Sequence, residues 1–428
     1  MRWPWDSQAE PIGEPIRAEL FSVERLEEHA RSLAKSQQLG RAPARFRKIS
    51  RRLTDNGVTL LAAYRELSQA IREESMLTPA AEWLVDNFHL VEAQLAAVRK
   101  TLPASYYREL PTVRSGHLAG YPRIYEIAWA YVAHHDSRFE PETLERFVAA
   151  YQEEEPLTIG ELWAMPIAIR LVLIENLRRL ADIIIQARGQ RRVADQIADS
   201  LLAVGDGTPE DGLRQLGRTD QIPPAMAVQL LQRLRDRDPG TTAGLGWLLE
   251  HLAGLGISPD DLVNEAQQRQ AATNVTVRNV VTSLRQISSF EWAEFVEGVS
   301  LVDRTLSDGT SFREMSFATR DLYRHAVEEL SKGSKSSQLE IARAAADHAR
   351  LRPRMTREAD PGFFLVDRGR RDLEAVIGFR PTFSQVLRRG VKRWSAAAYW
   401  GSILILALVF LAVPYARTLE AGGLWLAL

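Results

Sequence analysis

Cysteine is absent from this chain of 428 residues, which removes disulfides, thiolate metal ligands and a cysteine nucleophile together. Nothing here needs an oxidising compartment, and the cytosol is the expected setting. An excess of either charge is lacking too. With 54 Lys and Arg against 55 Asp and Glu the net charge is −1, so no global field draws in nucleic acid, and no nucleic-acid partner is expected. The opening Met1-Arg2-Trp3-Pro4-Trp5-Asp6 lacks the basic start and apolar run that mark a secretory signal. No GxxxxGK[ST] loop occurs and no GxGxxG follows a strand, so neither standard phosphate cradle is present. Alternating strand patterns are scarce, and no repeat of fixed period supports a solenoid.

Hydrophobic residues at 45% and charged residues at 25% match ordinary globular usage. Apolar spacing then predicts an all-α fold: a multi-helix cytoplasmic region with antiparallel helix packing, followed by a C-terminal transmembrane helix. Pro4, Pro11 and Pro15 predict an extended arm over 1–20. A helical domain follows over 21–204, starting where Ser22 caps a helix and Phe21 and Leu26 occupy staple positions. Thr78-Pro79 opens a helix whose Leu84, Phe88, Val91, Leu95, Val98 and Leu102 form one apolar face. Thr158 and Glu161 form a capping box leading into a pattern through Arg188, which Pro166 is expected to kink or split. Within it Ile167–Leu177 is apolar enough for central core, while Arg170, Glu175 and Asn176 argue against a membrane span there.

A stretch over 205–245 rich in Gly, Pro and Asp predicts a domain junction, and a second helical domain is expected over 246–385. Ser258-Pro259-Asp260 opens one helix, further helical patterns lie at 289–306, 317–331 and 337–350, and Gly333 is a natural stop. Gly362–Asp367, with Phe363, Phe364, Leu365 and Val366, reads as a strand.

The run AAAYWGSILILALVFLAV over 396–413 carries no charge and as a helix would span roughly 27 Å, which predicts a transmembrane helix. Tyr399, Trp400 and Tyr415 stand at headgroup positions. Arg388, Arg389, Lys392 and Arg393 precede the run, whereas Arg417 and Glu420 follow it, which puts the N-terminal region on the cytoplasmic side. The apolar end over 422–428 starts a second span or forms a short interfacial tail. The expected partner is the lipid bilayer.

Chemistry is harder to find. His134-His135-Asp136 is a metal-like set by residue type, but adjacent helical residues diverge by about 100° and do not converge on one ion. A helix end, with Asp136 and Ser137 capping and Pro141 restarting, is the competing reading. His251 and His325 lie alone in helical patterns, Glu153-Glu154-Glu155 reads as a solvated helix end, and Asp236-Arg237-Asp238 as surface charge. The basic run of Arg41, Arg45, Arg47, Lys48, Arg51 and Arg52 reads as a solvated face or as a lipid or partner contact. No catalytic, cofactor-binding or metal-binding residue is assigned.

Six strings carry more information than any of these. Tyr121-Pro122-Arg123-Ile124-Tyr125, Val132–Phe139, Pro156–Trp163, Ile174–Leu180, Phe317–Arg324 and Gly378-Phe379-Arg380-Pro381 make the chain resemble the cyclic β-1,2-glucan synthases, of glycosyltransferase family 84 type, in their N-terminal region. The resemblance implies a very large inner-membrane protein. Its helical cytoplasmic N-terminal region is followed by membrane helices around a processive transferase using UDP-glucose as donor, and by domains resembling glycoside phosphorylases. The transferase's aspartate motifs and QxxRW signature are missing here, so no catalytic residue carries over, and no cofactor is expected in this chain. The expected role is a scaffold or regulator whose partners are the remaining transmembrane and glycosyltransferase domains. The alternatives are a non-enzymatic, membrane-anchored helical interaction protein, and a metal-dependent hydrolase using His134 and Asp136.

Overall fold

Apolar side chains at steps of three and four turn most of the described residues into helices, as expected of an all-α protein. The structure, a computed structural model, describes residues 13–40, 46–73, 76–101, 107, 109–202, 222–236, 243–353, 356–381 and 395–420. Two compact units are formed, Met1–Ser300 and Leu301–Leu428. Most of the expected 205–245 junction lies outside the described residues, as does all of 1–12 in the expected arm.

The first unit holds α1 (Val23–Ser36), α2 (Phe46–Arg72), α3 (Pro79–Asp86), α4 (Phe88–Thr101), α5 (Arg123–His134) and α6 (Pro141–Glu154). Next come α7 (Ile159–Leu201), α8 (Pro224–Arg235), α9 (Ala243–Gly254), α10 (Pro259–Ser289) and α11 (Trp292–Val299). Two short strands, β1 (Leu39–Gly40) and β2 (Thr112–Val113), pair antiparallel with Leu39 opposite Val113.

The axis of this unit is α7, 43 residues long. Thr158 accepts from the Glu161 N–H at 3.2 Å while Glu161 accepts from the Thr158 N–H at 2.9 Å, so the capping box satisfies two otherwise orphaned donors. Pro166, expected to kink or split the helix, does not split it. It removes one hydrogen bond in the second turn, and burial of the residues around it, Leu162 to Ile174, carries the helix through. The first part of α7 runs to Ile184 inside the main core, and Ala194–Leu201 joins a second apolar cluster with α8, α9 and Leu262 of α10. No residue of 185–193 is fully buried between these clusters. The other helix in both clusters is α10, which returns to the main core through Val277, Val280, Leu284 and Ile287.

The face expected to run unbroken from Leu84 is interrupted at Asn87, where both the backbone N–H and the side-chain amide donate to the Trp83 carbonyl and end α3.

The second unit contains α12 (Leu301–Ser307), α13 (Phe317–Gly333), α14 (Gln338–Arg350), α15 (Pro361–Leu365), α16 (Arg370–Val376) and α17 (Ser395–Glu420). The pattern expected over 289–306 is two helices, α11 and α12, parted at the extended Ser300. The strand expected over Gly362–Asp367 is the short helix α15. Asp360 caps it by accepting from the Gly362 N–H at 2.6 Å, Pro361 stands first, and Phe364 and Leu365 are buried.

Among the described residues no helix is long and apolar enough to cross a membrane. The apolar run lies within α17, 26 residues long. Pro414 and Arg417 lie further along the same helix. The transmembrane helix expected at 396–413 is corrected accordingly, and the expected bilayer contact loses its support. The possible second span at 422–428 lies outside the described residues.

Candidate functional site

The segment from His134 to Phe139 links distant parts of the first unit. The last turn of α5 is closed by the Ser137 N–H donating to the Val132 carbonyl at 3.0 Å, the outer bond of a Schellman cap. Glycine usually takes the left-handed position of that cap. Here Asp136 (φ 47°) and Ser137 (φ 60°) both adopt it, at a cost of roughly 1–2 kcal/mol each. Side chains from distant helices hold them. Thr276 donates to Asp136 Oδ1 at 2.7 Å, and Asn279 donates to Asp136 Oδ2 and to its carbonyl, both at 3.0 Å. Ser283 donates to the Ser137 carbonyl and accepts from the Phe139 N–H, both at 2.8 Å. Asn176 of α7 donates to Ser137 Oγ at 2.8 Å while its Oδ1 accepts from the Ile16 N–H at 2.6 Å. One turn thus ties α5, α7, α10 and the described part of the arm together.

The arm completes the end of α5. Ala18 and Phe21 donate to the Ala133 and His134 carbonyls at 3.0 and 3.2 Å, which satisfies acceptors that a helix end leaves open. His134 Nδ1 donates to the Glu19 carbonyl at 2.8 Å, and its ring stacks on Phe21 with centroids 4.0 Å apart. His29 of α1 lies 4.5 Å from the same ring; burial, with the neighbouring His134, lowers its pKa. His135 points elsewhere, its Nε2 being 3.2 Å from Glu140, and burial lowers its pKa against the pull of Glu140. His134, His135 and Asp136 therefore serve three different partners. Among the described residues no group of three or more His, Asp or Glu is placed to hold a metal ion.

A second cluster escaped sequence reading. Glu175 is 1% exposed and accepts from Arg52 Nη2 at 2.6 Å, Arg52 Nε at 2.9 Å, Asn56 at 2.7 Å and Arg179 Nε at 3.0 Å. Burial pushes its carboxyl up, but the hydrogen bonds and charge of Arg52, with Asn56 and Arg179, prevail and hold it at about 2. It stays ionised at neutral pH, which suits an anchor and not a proton-transfer group. Arg179 also donates to the Glu14 carbonyl at 2.7 Å and lies over Trp129. The basic run read as a solvated or partner-facing surface thus contains an inward-turned residue, Arg52, whereas Arg51 is exposed beside Asp55. Positions 41–45 lie outside the described residues. The available signal was Glu175-Asn176 standing inside an apolar run, since buried polar side chains require partners.

The remaining candidates have ordinary duties. Glu153, Glu154 and Glu155 meet Arg31, Lys35 and Arg123 at 2.7, 3.0 and 3.4 Å, so this helix end is tied by ion pairs beyond the solvation expected. Arg123 is itself buried against Glu161 at 2.6 Å. His251 stacks on Trp247, and His325 is exposed beside Asp321. Asp236 follows the last turn of α8; Arg237 and Asp238 lie outside the described residues.

Beside the strained turn an open groove of about 540 Å³ separates the arm from α10. Leu20, Ala272 and Val275 give it an apolar lining, with Arg17, Asp136 and Arg138 as its charged members.

No protein-family model matches the chain. The cyclic β-(1,2)-glucan synthase NdvB of Rhizobium meliloti (strain 1021) is 35% identical to it over 427 residues, which is 96% of this chain and 15% of the synthase. Over nearly its whole length, therefore, the chain is a relative of one segment of a cyclic β-(1,2)-glucan synthase.

Proposed function

We propose that the chain is the helical scaffold segment of a cyclic β-1,2-glucan synthase. In this reading it positions or regulates a transferase that uses UDP-glucose and lies elsewhere in the synthase. The observation that carries the proposal is the 35% identity along 96% of the chain to a protein whose remaining 85% lies outside the match. Two structural features support a scaffold over a reaction centre. The buried charged groups Glu175 and Arg123 are held by internal partners, and the strained turn has its polar groups engaged by α7 and α10. Both arrangements make a rigid body, the property a positioning element needs. The lipid bilayer has no part in this proposal.

The test is purification of the tagged chain from cells that make the glucan. Under the proposal it elutes as part of a polypeptide or complex that incorporates glucose from UDP-glucose into β-1,2-linked product. A stable complex devoid of glucosyltransferase activity overturns it in favour of a non-enzymatic interaction protein.

A further inference from the structure

Two helices, α7 and α10, cross from the main core of the first unit to its second apolar cluster. The crossing has no core of its own: neither 185–193 of α7 nor 263–275 of α10 contains a buried residue. Interlocked apolar side chains hold packed helices at a fixed angle, and this waist lacks them. Among the described residues no hydrogen bond or ion pair joins 185–193 to α10 either. Beyond the waist the ties are local and close. Gln229 of α8 donates to Asp195 at 2.8 Å, and Arg233 donates to Asp199, both carboxylates lying on the end of α7. A Cβ added at Gly244 of α9 would stand 2.7 Å from Leu201, so α9 packs tightly on the same end. Ala194–Leu201, α8, α9 and Leu262 therefore form a body in their own right.

Three local features soften the waist. Gly189 stands at its middle, inside a helix of 43 residues, where glycine weakens a helix about two- to fivefold relative to alanine. No packing demand explains it, because a Cβ there would meet nothing within 4 Å and its φ is not positive. Burial, and then the like charge of Arg188 one turn away, lowers the pKa of Arg191, with Asp195 offsetting part of this, and like charges so spaced loosen a helix. On α10, Thr273 donates to the Arg269 carbonyl at 2.9 Å, a bond that tends to bend helices. We propose that the first unit bends at this waist, with Gly189 as the pivot of α7 and the second cluster swinging as one body on the main core. The strained turn stays out of the motion, since Asn176, Thr276, Asn279 and Ser283 all lie on the main-core side. In terms of the scaffold reading, the main core is the rigid part and the second cluster the movable one, but the bend itself does not depend on that reading.

The absence of cysteine lets spin labels be placed at introduced cysteines of the full chain without background. The pair Ala93→Cys/Gln232→Cys spans the waist from α4 to α8, and Ala93→Cys/Glu145→Cys stays within the main core on α4 and α6; all three positions are exposed. In pulsed electron–electron double resonance the spanning pair should give a distance distribution about twice as wide as the reference pair or wider, and adding Gly189→Ala should narrow it towards the reference. Hydrogen exchange of the unlabelled wild-type chain supplies a measurement free of any variant. The amides of 186–193 should exchange on the order of tenfold faster than those of 167–177, and Gly189→Ala should slow them about two- to fivefold. Equal widths for the two pairs, waist amides as protected as those of 167–177, or widths and exchange that Gly189→Ala leaves unchanged would each overturn the inference. Glucan synthesis enters neither measurement, so failure of the bend and failure of the scaffold role are read separately.

Discussion

Arg52 and Glu175, separated by 123 positions in sequence, form a two-bond ion pair at 2.6 and 2.9 Å, with the carboxylate 1% exposed. This pair joins α2 to α7 and orders Asn56, Tyr121 and Arg179 around it. Removing one member strands the other. We expect Arg52→Ala and Glu175→Gln each to destabilise the first unit by about 3–5 kcal/mol, measured by urea denaturation. The double variant should cost clearly less than the sum, because the two changes share one interaction. Additive losses below about 1 kcal/mol each would show that the pair is peripheral.

The strained turn separates backbone from side-chain contributions. Asp136→Gly relieves the left-handed strain but loses the bonds from Thr276 and Asn279; Asp136→Ala loses the same bonds and keeps the strain. The alanine variant should therefore be less stable than the glycine variant by about 1 kcal/mol. Equal stabilities would mean that φ at this position costs nothing.

Acid should weaken the first unit in two windows. His29 and His135 have folded pKa values below the ordinary 6.5, so their folded forms resist protonation; stability is full above that value and falls as the pH drops through it. Glu175, at about 2 against an ordinary 4.5, contributes on the order of 3 kcal/mol that is present above the ordinary value and lost as the pH falls towards 2. Glu126, raised by burial, acts in the opposite direction and softens the second window. Urea midpoints from pH 8 to pH 3 should show a shallow decline below about 6.5, flattened in His29→Gln/His135→Gln, and a steeper one below about 4.5. A midpoint constant from pH 7 to pH 5 in the wild-type chain contradicts the histidine assignment.

In the second unit, a Cβ added at Gly362 would fall on the Tyr323 hydroxyl, which donates to Asp360 at 2.7 Å. Gly362→Ala should cost about 1–3 kcal/mol by overpacking, and adding Tyr323→Ala, which removes the ring as well as the hydroxyl, should cost less than the sum of the two single changes. A neutral Gly362→Ala melt argues that the two helices can move apart freely.

Much of the helical layout was legible because its signals are local. Ser22 before Val23, Thr158 three residues before Glu161 and Pro259 at the head of α10 each announce a helix through groups within one turn. Failures came where a distant partner or a competing local bond decided. Asn87 ends a helix through its own amide, and the apolar 362–367 stretch coils because Asp360 caps it. Arg52 looked like surface charge because its partner lies 123 positions away. The histidine pattern correctly indicated a helix end, but Thr276, Asn279 and Ser283, which make that end rigid, lie on a helix whose apolar spacing says nothing about turns elsewhere. The expected membrane span rested on an uncharged run with flanking aromatic and basic residues, and among the described residues no helix meets the length and apolarity it requires.

The scaffold role is tested most directly by deleting residues 20–380 from the synthase and measuring cyclic β-1,2-glucan made from UDP-glucose, by both yield and ring size. The account predicts that yield falls at least tenfold or that ring size shifts. Unchanged yield and ring size would contradict it.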